Sequence, residues 1–289
     1  MDNRSLKNIK YRKVKNNIFK GIFILCTLVG VIFLILLISD MLSKGLKNLD
    51  WDFLTSFPSR KAEKSGILPA MTGSLWLIIL TTIISLPVGV GTAIYLEEYA
   101  KENKLNKFIQ INISNLAGVP SIIYGLLGLS VFVKSLGFGP SILSGALTLS
   151  LLILPVIITS TQEAVKSVPD ALRQGSLALG VTKWQTITGV VLPYAMPGIL
   201  TGSILAVSRA LGEAAPLLVV GAAVYISFLP TNIMSSFSAL PIQIYNWTAR
   251  PQEEFQQIAA SGILVLMVVL LSANAIAILL RNKYQKRLE

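Results

Sequence analysis

The sequence predicts an all-α polytopic membrane protein with six transmembrane helices. Of its 289 residues, 53% are hydrophobic and only 13% charged, and the mean hydropathy is +0.67. A soluble domain of this length carries about 25% charged residues. Several uncharged apolar runs approach or exceed the roughly 18 residues that mark a membrane-spanning helix.

The first span is 21–38, preceded by Lys13, Lys15 and Lys20. Its apolar core is too long for a signal peptide, and "ISDMLSKG" lacks a small-x-small cleavage site, so it reads as a retained helix. A polar connection of mixed charge fills 40–72. The second span is 73–96, where Pro87 and two nearby glycines favour a bend. After the charged loop "EEYAKENKLNK" comes a third span within 109–133. The fourth, 141–160, follows the turn "KSLGFGP". The fifth begins near Tyr194 and the sixth covers 256–280, while the proline-dotted, aromatic stretch 225–257 between them suits a segment at the membrane surface.

Six spans put both termini on one side. Seven Lys or Arg lie in the first 20 residues, three in the loop after the second span, three in 161–193 and four in the last nine residues. Such a bias places both termini in the cytoplasm, and it accounts for the net charge of +11 without nucleic acid. Cys26 is the only cysteine and histidine is absent, which excludes an intrachain disulfide, a thiolate metal site and the commonest general base.

The excursion 161–193 predicts a bent helix pair on the cytoplasmic side. Pro169 suits a first helical turn and Gly180 the position just past a helix end. Thr182 with Gln185 matches a capping box that opens a second helix. Gly175 and Gly180 have the glycine spacing of a phosphate-binding loop, but Val181 and Thr182 stand where Lys and Ser/Thr are required, so ATP does not bind by that route.

Two features lie inside the spans. Gly118-Val119-Pro120-Ser121 should break the third helix and expose backbone N–H groups beside the Ser121 hydroxyl, either as a packing kink or as an anion contact. Arg209 and Glu213 stand in a stretch otherwise uncharged from Trp184 to Ala249. A charge near a helix centre costs roughly 2.5–3.5 kcal/mol on insertion scales and marks a substrate path or an ion pair. Counted from Tyr194, Arg209 lies roughly 22 Å along the helix, toward the outer side. Four residues apart, the two share one helical face and can pair. A guanidinium suits an oxyanion because it donates two parallel hydrogen bonds. The alternative is an ion pair that orders an interface. Tyr245 and Trp247 read as interfacial anchors.

The excursion resembles the coupling loop of ABC-importer permeases, which runs Glu-Ala-Ala, Gly and Ile-x-Leu-Pro. Gln174, Gly175 and Ser176 occupy the first positions, then Gly180, then Val190 to Pro193 with Leu192-Pro193 matching. Gln174 replaces the family's glutamate, so no carboxylate contact to the ATPase carries over. "LAGVPSIIYGLLGL" (116–129), "SRALGEAAPLL" (208–218) and "LPIQIYNWTARP" (240–251) resemble the PstA family of phosphate-specific permeases.

The resemblance implies the fold of type I importers, with a permease domain over 71–280, a preceding region 1–70 holding the first span and an external loop, and a cytoplasmic tail 281–289. It further implies a non-catalytic subunit in the cytoplasmic membrane of a prokaryote. Its partners would be a homologous permease of the PstC kind in a heterodimer, two ATPase subunits carrying ATP and Mg²⁺, and an extracytoplasmic phosphate-binding protein. No cofactor would sit on this chain. Sulfate, molybdate or phosphonate permeases are the near rivals. A membrane enzyme would need intramembrane carboxylates or histidines that the sequence lacks, and an assembly protein would need no Arg–Glu pair in a span.

Overall fold

The computed structural model describes residues 3–285 apart from Glu102 and Val224, and its regular elements are all helical. Twelve α-helices follow in order. The long ones are α1 (Asn3–Gly45), α3 (Leu68–Ile94), α6 (Ile142–Lys166), α9 (Leu192–Gly212) and α12 (Glu253–Gln285). The short ones are α2 (Trp51–Thr55), α4 (Lys104–Leu116), α5 (Ser121–Gly128), α7 (Asp170–Ala178), α8 (Lys183–Thr186), α10 (Ala215–Val220) and α11 (Leu240–Thr248). Wider π-helical turns extend α3 through Tyr99 and α5 through Ser135, and lead into α9 from Ile187.

Among the described residues five helices are long and apolar enough to cross a membrane, and α4 with α5 makes a sixth span only if the two, bent by 106°, count as one. The third span is therefore not the continuous helix that hydropathy alone suggests. The first helix extends beyond the apolar run 21–38, because α1 continues through the basic N-terminal segment and on to Gly45.

The central helix is α6, whose most apolar window is 67% buried against 12% for α12 and none for α1. It runs parallel to α3: Gly145 faces Leu77 near one end, and Gly89 faces Ile157 toward the other. Small residues permit that approach, as is usual where helices pack without a hydrophobic drive between them. Across the seam the Thr81 hydroxyl donates to the Ala146 carbonyl at 3.3 Å and the Ser150 hydroxyl to the Thr81 carbonyl at 3.4 Å. Antiparallel to α6 lies α9, with Gly202 against Ser160 and Gly198 against Ala164. α12 packs antiparallel to α9, joined by Arg281 with Thr201 and by Ser208 with Asn274. α1 rests on α12, where the Ser261 hydroxyl donates to the Gly45 carbonyl at 2.7 Å.

The stretch 225–257 splits in two: Tyr225, Phe228, Ile233 and Met234 are exposed, while 237–244 is buried and closes one end of the core. Phe237 and Leu240 are fully buried, and the Leu240 amide donates to the Ser74 hydroxyl at 2.8 Å. Trp247, expected as an interfacial anchor, is 1% exposed and packs 5.8 Å from the Phe53 ring. Tyr245 does face outward. α11 is buried continuously from Leu240 to Ile244, Gln243 included, and is exposed at Tyr245 and Thr248.

Candidate functional site

Two proline breaks define the region around Arg209. Proline has no N–H and its ring collides with the carbonyl four residues earlier. α4 ends at Leu116, four residues before Pro120, and α9 ends at Gly212, four residues before Pro216. The carbonyl that Pro120 cannot serve is not left bare: Leu116 accepts the Val119 amide at 3.1 Å and the Tyr124 hydroxyl at 2.8 Å. The two restarted helices then pack together. A Cβ at Gly125 on α5 would lie 2.8 Å from the Pro216 Cα on α10, so only glycine allows this contact.

Arg209 sits in the last turn of α9 and Glu213 just beyond it, in extended conformation. They pair across the helix end, Nε to Oε1 at 3.4 Å, rather than along a continuous helical face. Arg209 is 44% exposed and Glu213 19%. The remaining guanidinium nitrogens make no hydrogen bond among the described residues. Ser121 opens α5, half-buried, and no hydrogen bond joins it to Arg209 among the described residues. What the sequence reading missed here is Asn274, whose amide oxygen takes the Ser208 hydroxyl beside Arg209. Its signal was a lone amide in an apolar run.

At the opposite end of α9 the excursion forms the expected helical corner. α7 begins at Asp170, so Pro169 is its cap rather than its first turn. Gly180 has φ +81°, a left-handed conformation that favours glycine. Both hydrogen bonds of the Thr182–Gln185 capping box are present. The hydroxyls of Ser176 and Thr186 meet at 3.0 Å and clasp the two helices. Gln174 and Gly175 face outward on α7, and Leu192 and Pro193 form the first turn of α9, half-buried. The corner exposes apolar side chains at its tip: Leu177, Leu179, Val181 and Trp184, with Leu179 85% exposed.

The corner is bolted to α3 through residues that the sequence reading passed over as a charged loop. Arg173 donates to Glu98 at 3.1 Å, to the Val168 carbonyl at 2.6 Å, to Asp170 at 3.0 Å and to the Val165 carbonyl at 2.7 Å. Lys183 reaches the Glu98 carbonyl and lies 5.1 Å over the Tyr99 ring. Glu97 accepts from Gln162 at 2.6 Å and pairs with Lys166 at 3.4 Å. Both glutamates lie on the π-helical turn that ends α3, which sets them side by side toward α6 and α7. Among the described residues no cluster of metal ligands occurs.

With this geometry in view, comparison with known proteins is decisive. A family model described as "Binding-protein-dependent transport system inner membrane component" matches residues 85–288. The chain belongs to this family. It is accordingly a multi-pass membrane component of a transport system and not an enzyme. The "Probable ABC transporter permease protein YqgI" of Bacillus subtilis is 34% identical, over 96% of this chain and 98% of that protein. The "Phosphate transport system permease protein PstA" of Xylella fastidiosa is 35% identical, over 84% of this chain and 85% of that one. Among solved structures, a chain of a bacterial alginate ABC transporter in complex with its pentasaccharide-bound periplasmic protein superposes with a TM-score of 0.68, covering 92% of this chain and 95% of that one at 17% identity. A chain of the inward-facing MetNI methionine ABC transporter superposes with a TM-score of 0.60, covering 76% and 94% at 18% identity. The fold is that of ABC-importer permeases.

Proposed function

We propose that this chain is one permease half of an ATP-dependent importer for inorganic phosphate in the cytoplasmic membrane of a prokaryote. It crosses six times, counting α4 with α5 as one broken span, with both termini in the cytoplasm. The antiparallel packing of α12 on α9 supports this, because it brings Arg281 beside Thr201, in the half of α9 that follows α7 and α8. The permease domain covers 71–280, after an N-terminal region 1–70 and before a tail 281–289. A homologous PstC-type permease completes the pathway, two ATPase subunits bind ATP and Mg²⁺, and an external phosphate-binding protein delivers the substrate.

The observation that carries the reading is Arg209, a charge in a span that is 44% exposed and held by one long contact. Facing lipid it would be costly; facing a path shared with a second permease, its free donors meet an oxyanion. Two parallel hydrogen bonds from a planar fork fit phosphate. Glu213 orients the guanidinium through Nε and moderates its grip, so that the anion leaves as well as enters. The relatives named PstA favour phosphate as that anion. At the other end, the apolar tip of the α7–α8 corner docks on the ATPase through Leu177, Leu179 and Trp184. Gln174, Gly175, Ser176 and Gly180 shape that corner, and Leu192-Pro193 leads its motion into α9. Arg173 and Glu98 pass the same motion to α3.

The test is uptake of labelled phosphate into proteoliposomes holding the assembled transporter. ATP-dependent uptake resisting excess sulfate and molybdate is the expected result. Equal competition by sulfate would transfer the chain to another oxyanion class, and absence of ATP-driven uptake would refute the transport reading.

A further inference from the structure

Where α3 and α6 end, a second basic feature adjoins the brace of the docking corner and lies away from Arg209. A cavity of about 730 Å³ opens between the π-helical end of α3, the start of α4 and the last turn of α6. Lys101, Lys104, Lys107 and Lys166 line it, with Glu97 as the one acid on its wall among the described residues. That acid is already occupied by Gln162 and Lys166. Lys101, Lys104 and Lys107 pair with no acid among the described residues.

The backbone that carries the lysines is fixed by local hydrogen bonds. The Asn103 side chain caps α4 by accepting the Asn106 amide at 2.7 Å. The Asn106 side chain in turn donates to the Lys101 carbonyl at 2.8 Å. α4 has three distinct sides. Ile109 and Ile113 pack against α3 and α6. Asn106, Lys107 and Gln110 face the cavity. Leu105, Phe108 and Ile111 are 64%, 64% and 50% exposed on the remaining side. A concentrated positive cavity thus adjoins an uncovered apolar strip on one short helix. Tyr95 and Tyr99 are exposed at the same end of α3, the level at which aromatic side chains mark a membrane boundary.

We infer that this cavity holds the headgroup of an anionic phospholipid whose acyl chains run along Leu105, Phe108 and Ile111. Net positive lining selects a negatively charged headgroup, since lysines near a membrane surface attract anionic lipid. Its volume falls in the range of sites for small organic molecules, larger than a bare inorganic anion fills. The apolar strip requires a ligand that is amphiphilic, which a free anion is not. Lys166 links the site to the α3–α6 brace, because it faces both the headgroup and Glu97.

The test needs no transport. The full chain is placed in phosphatidylcholine nanodiscs containing a trace of photoactivatable phosphatidylglycerol, and the labelled residues are mapped. Labelling should concentrate in 101–111 and exceed that from a photoactivatable phosphatidylcholine at least about tenfold. Lys101→Gln, Lys104→Gln and Lys107→Gln together should abolish the preference, and the three arginine replacements should keep it. Inorganic phosphate should not displace the lipid. Equal labelling by both lipids, or labelling spread over α1 and α12, would overturn the inference in the unmodified chain, whatever the variants do. Displacement by inorganic phosphate would make the cavity a free-anion site. Loss of labelling when the ATPase subunits are present would make it a protein contact.

Discussion

Arg173 and Arg209 each face a glutamate, yet Arg173 is 20% exposed beside a Glu98 that is 10% exposed, while Arg209 is 44% exposed beside a Glu213 that is 19% exposed. Arg173 spends its donors on two carboxylates and two carbonyls between 2.6 and 3.1 Å. Arg209 makes a single bond of 3.4 Å. Residue types are the same, but one guanidinium uses four of its five donors and the other only one. An arginine with most donors engaged fixes elements relative to each other; one with free donors in a span is available to a ligand. Under the proposed function, the two ends of α9 carry the two halves of a coupled device, one rigid and one receptive.

The contrast is broken most directly at its rigid end. Arg173→Ala leaves the Glu98 carboxylate and the Val168 carbonyl without their partner, and breaking such a pair costs about 3 kcal/mol. A clearly lowered melting temperature of the purified chain is expected; an unchanged one would remove the bracing role. At the receptive end the order of effects reverses. Arg209→Gln should leave the melting temperature nearly intact, since partly exposed pairs contribute about 1 kcal/mol or less. Phosphate uptake should nevertheless fall roughly ten- to hundredfold, as for loss of a hydrogen bond to a charged group. Uptake at the normal rate would make Arg209 a second brace. Gly180→Val forces a β-branched residue into a left-handed backbone at a cost of about 1–2 kcal/mol. Uptake should drop with the chain still inserted, and crosslinks from Lys183→Cys to the ATPase should weaken; unchanged values of both would detach the corner from coupling. The smallest effect belongs to Tyr124→Phe, which removes the hydroxyl that satisfies the Leu116 carbonyl. About 1 kcal/mol of stability should go, read as a small fall in melting temperature; no fall would mean that the Val119 amide alone suffices at the break.

These differences also mark what a sequence can carry. The long spans were legible because each is a continuous apolar run, and the break before Ser121 because Pro120 acts on a carbonyl only four residues away. The corner was legible for the same reason: Gly180, Thr182 and Gln185 act within one turn of chain. The brace was not, because Glu98 and Arg173 lie far apart in sequence and nothing local distinguishes them from surface charges. Trp247 was misplaced because its burial depends on Phe53, far upstream. Arg209 and Glu213 were visible as anomalies, but the helix end between them, and hence the open donors, came from Pro216 restarting the chain as α10.

The central claim is that the positive charge at 209 meets the anion, and the double exchange Arg209→Glu with Glu213→Arg tests it most directly. The ion pair survives the exchange, whereas the guanidinium moves roughly 6 Å along the chain, past the end of α9. Measured at normal membrane abundance and with the complex still binding ATP, phosphate uptake by the exchanged protein should stay at the level of Arg209→Gln. Uptake at the unmodified rate would contradict the account and reduce the pair to a structural contact.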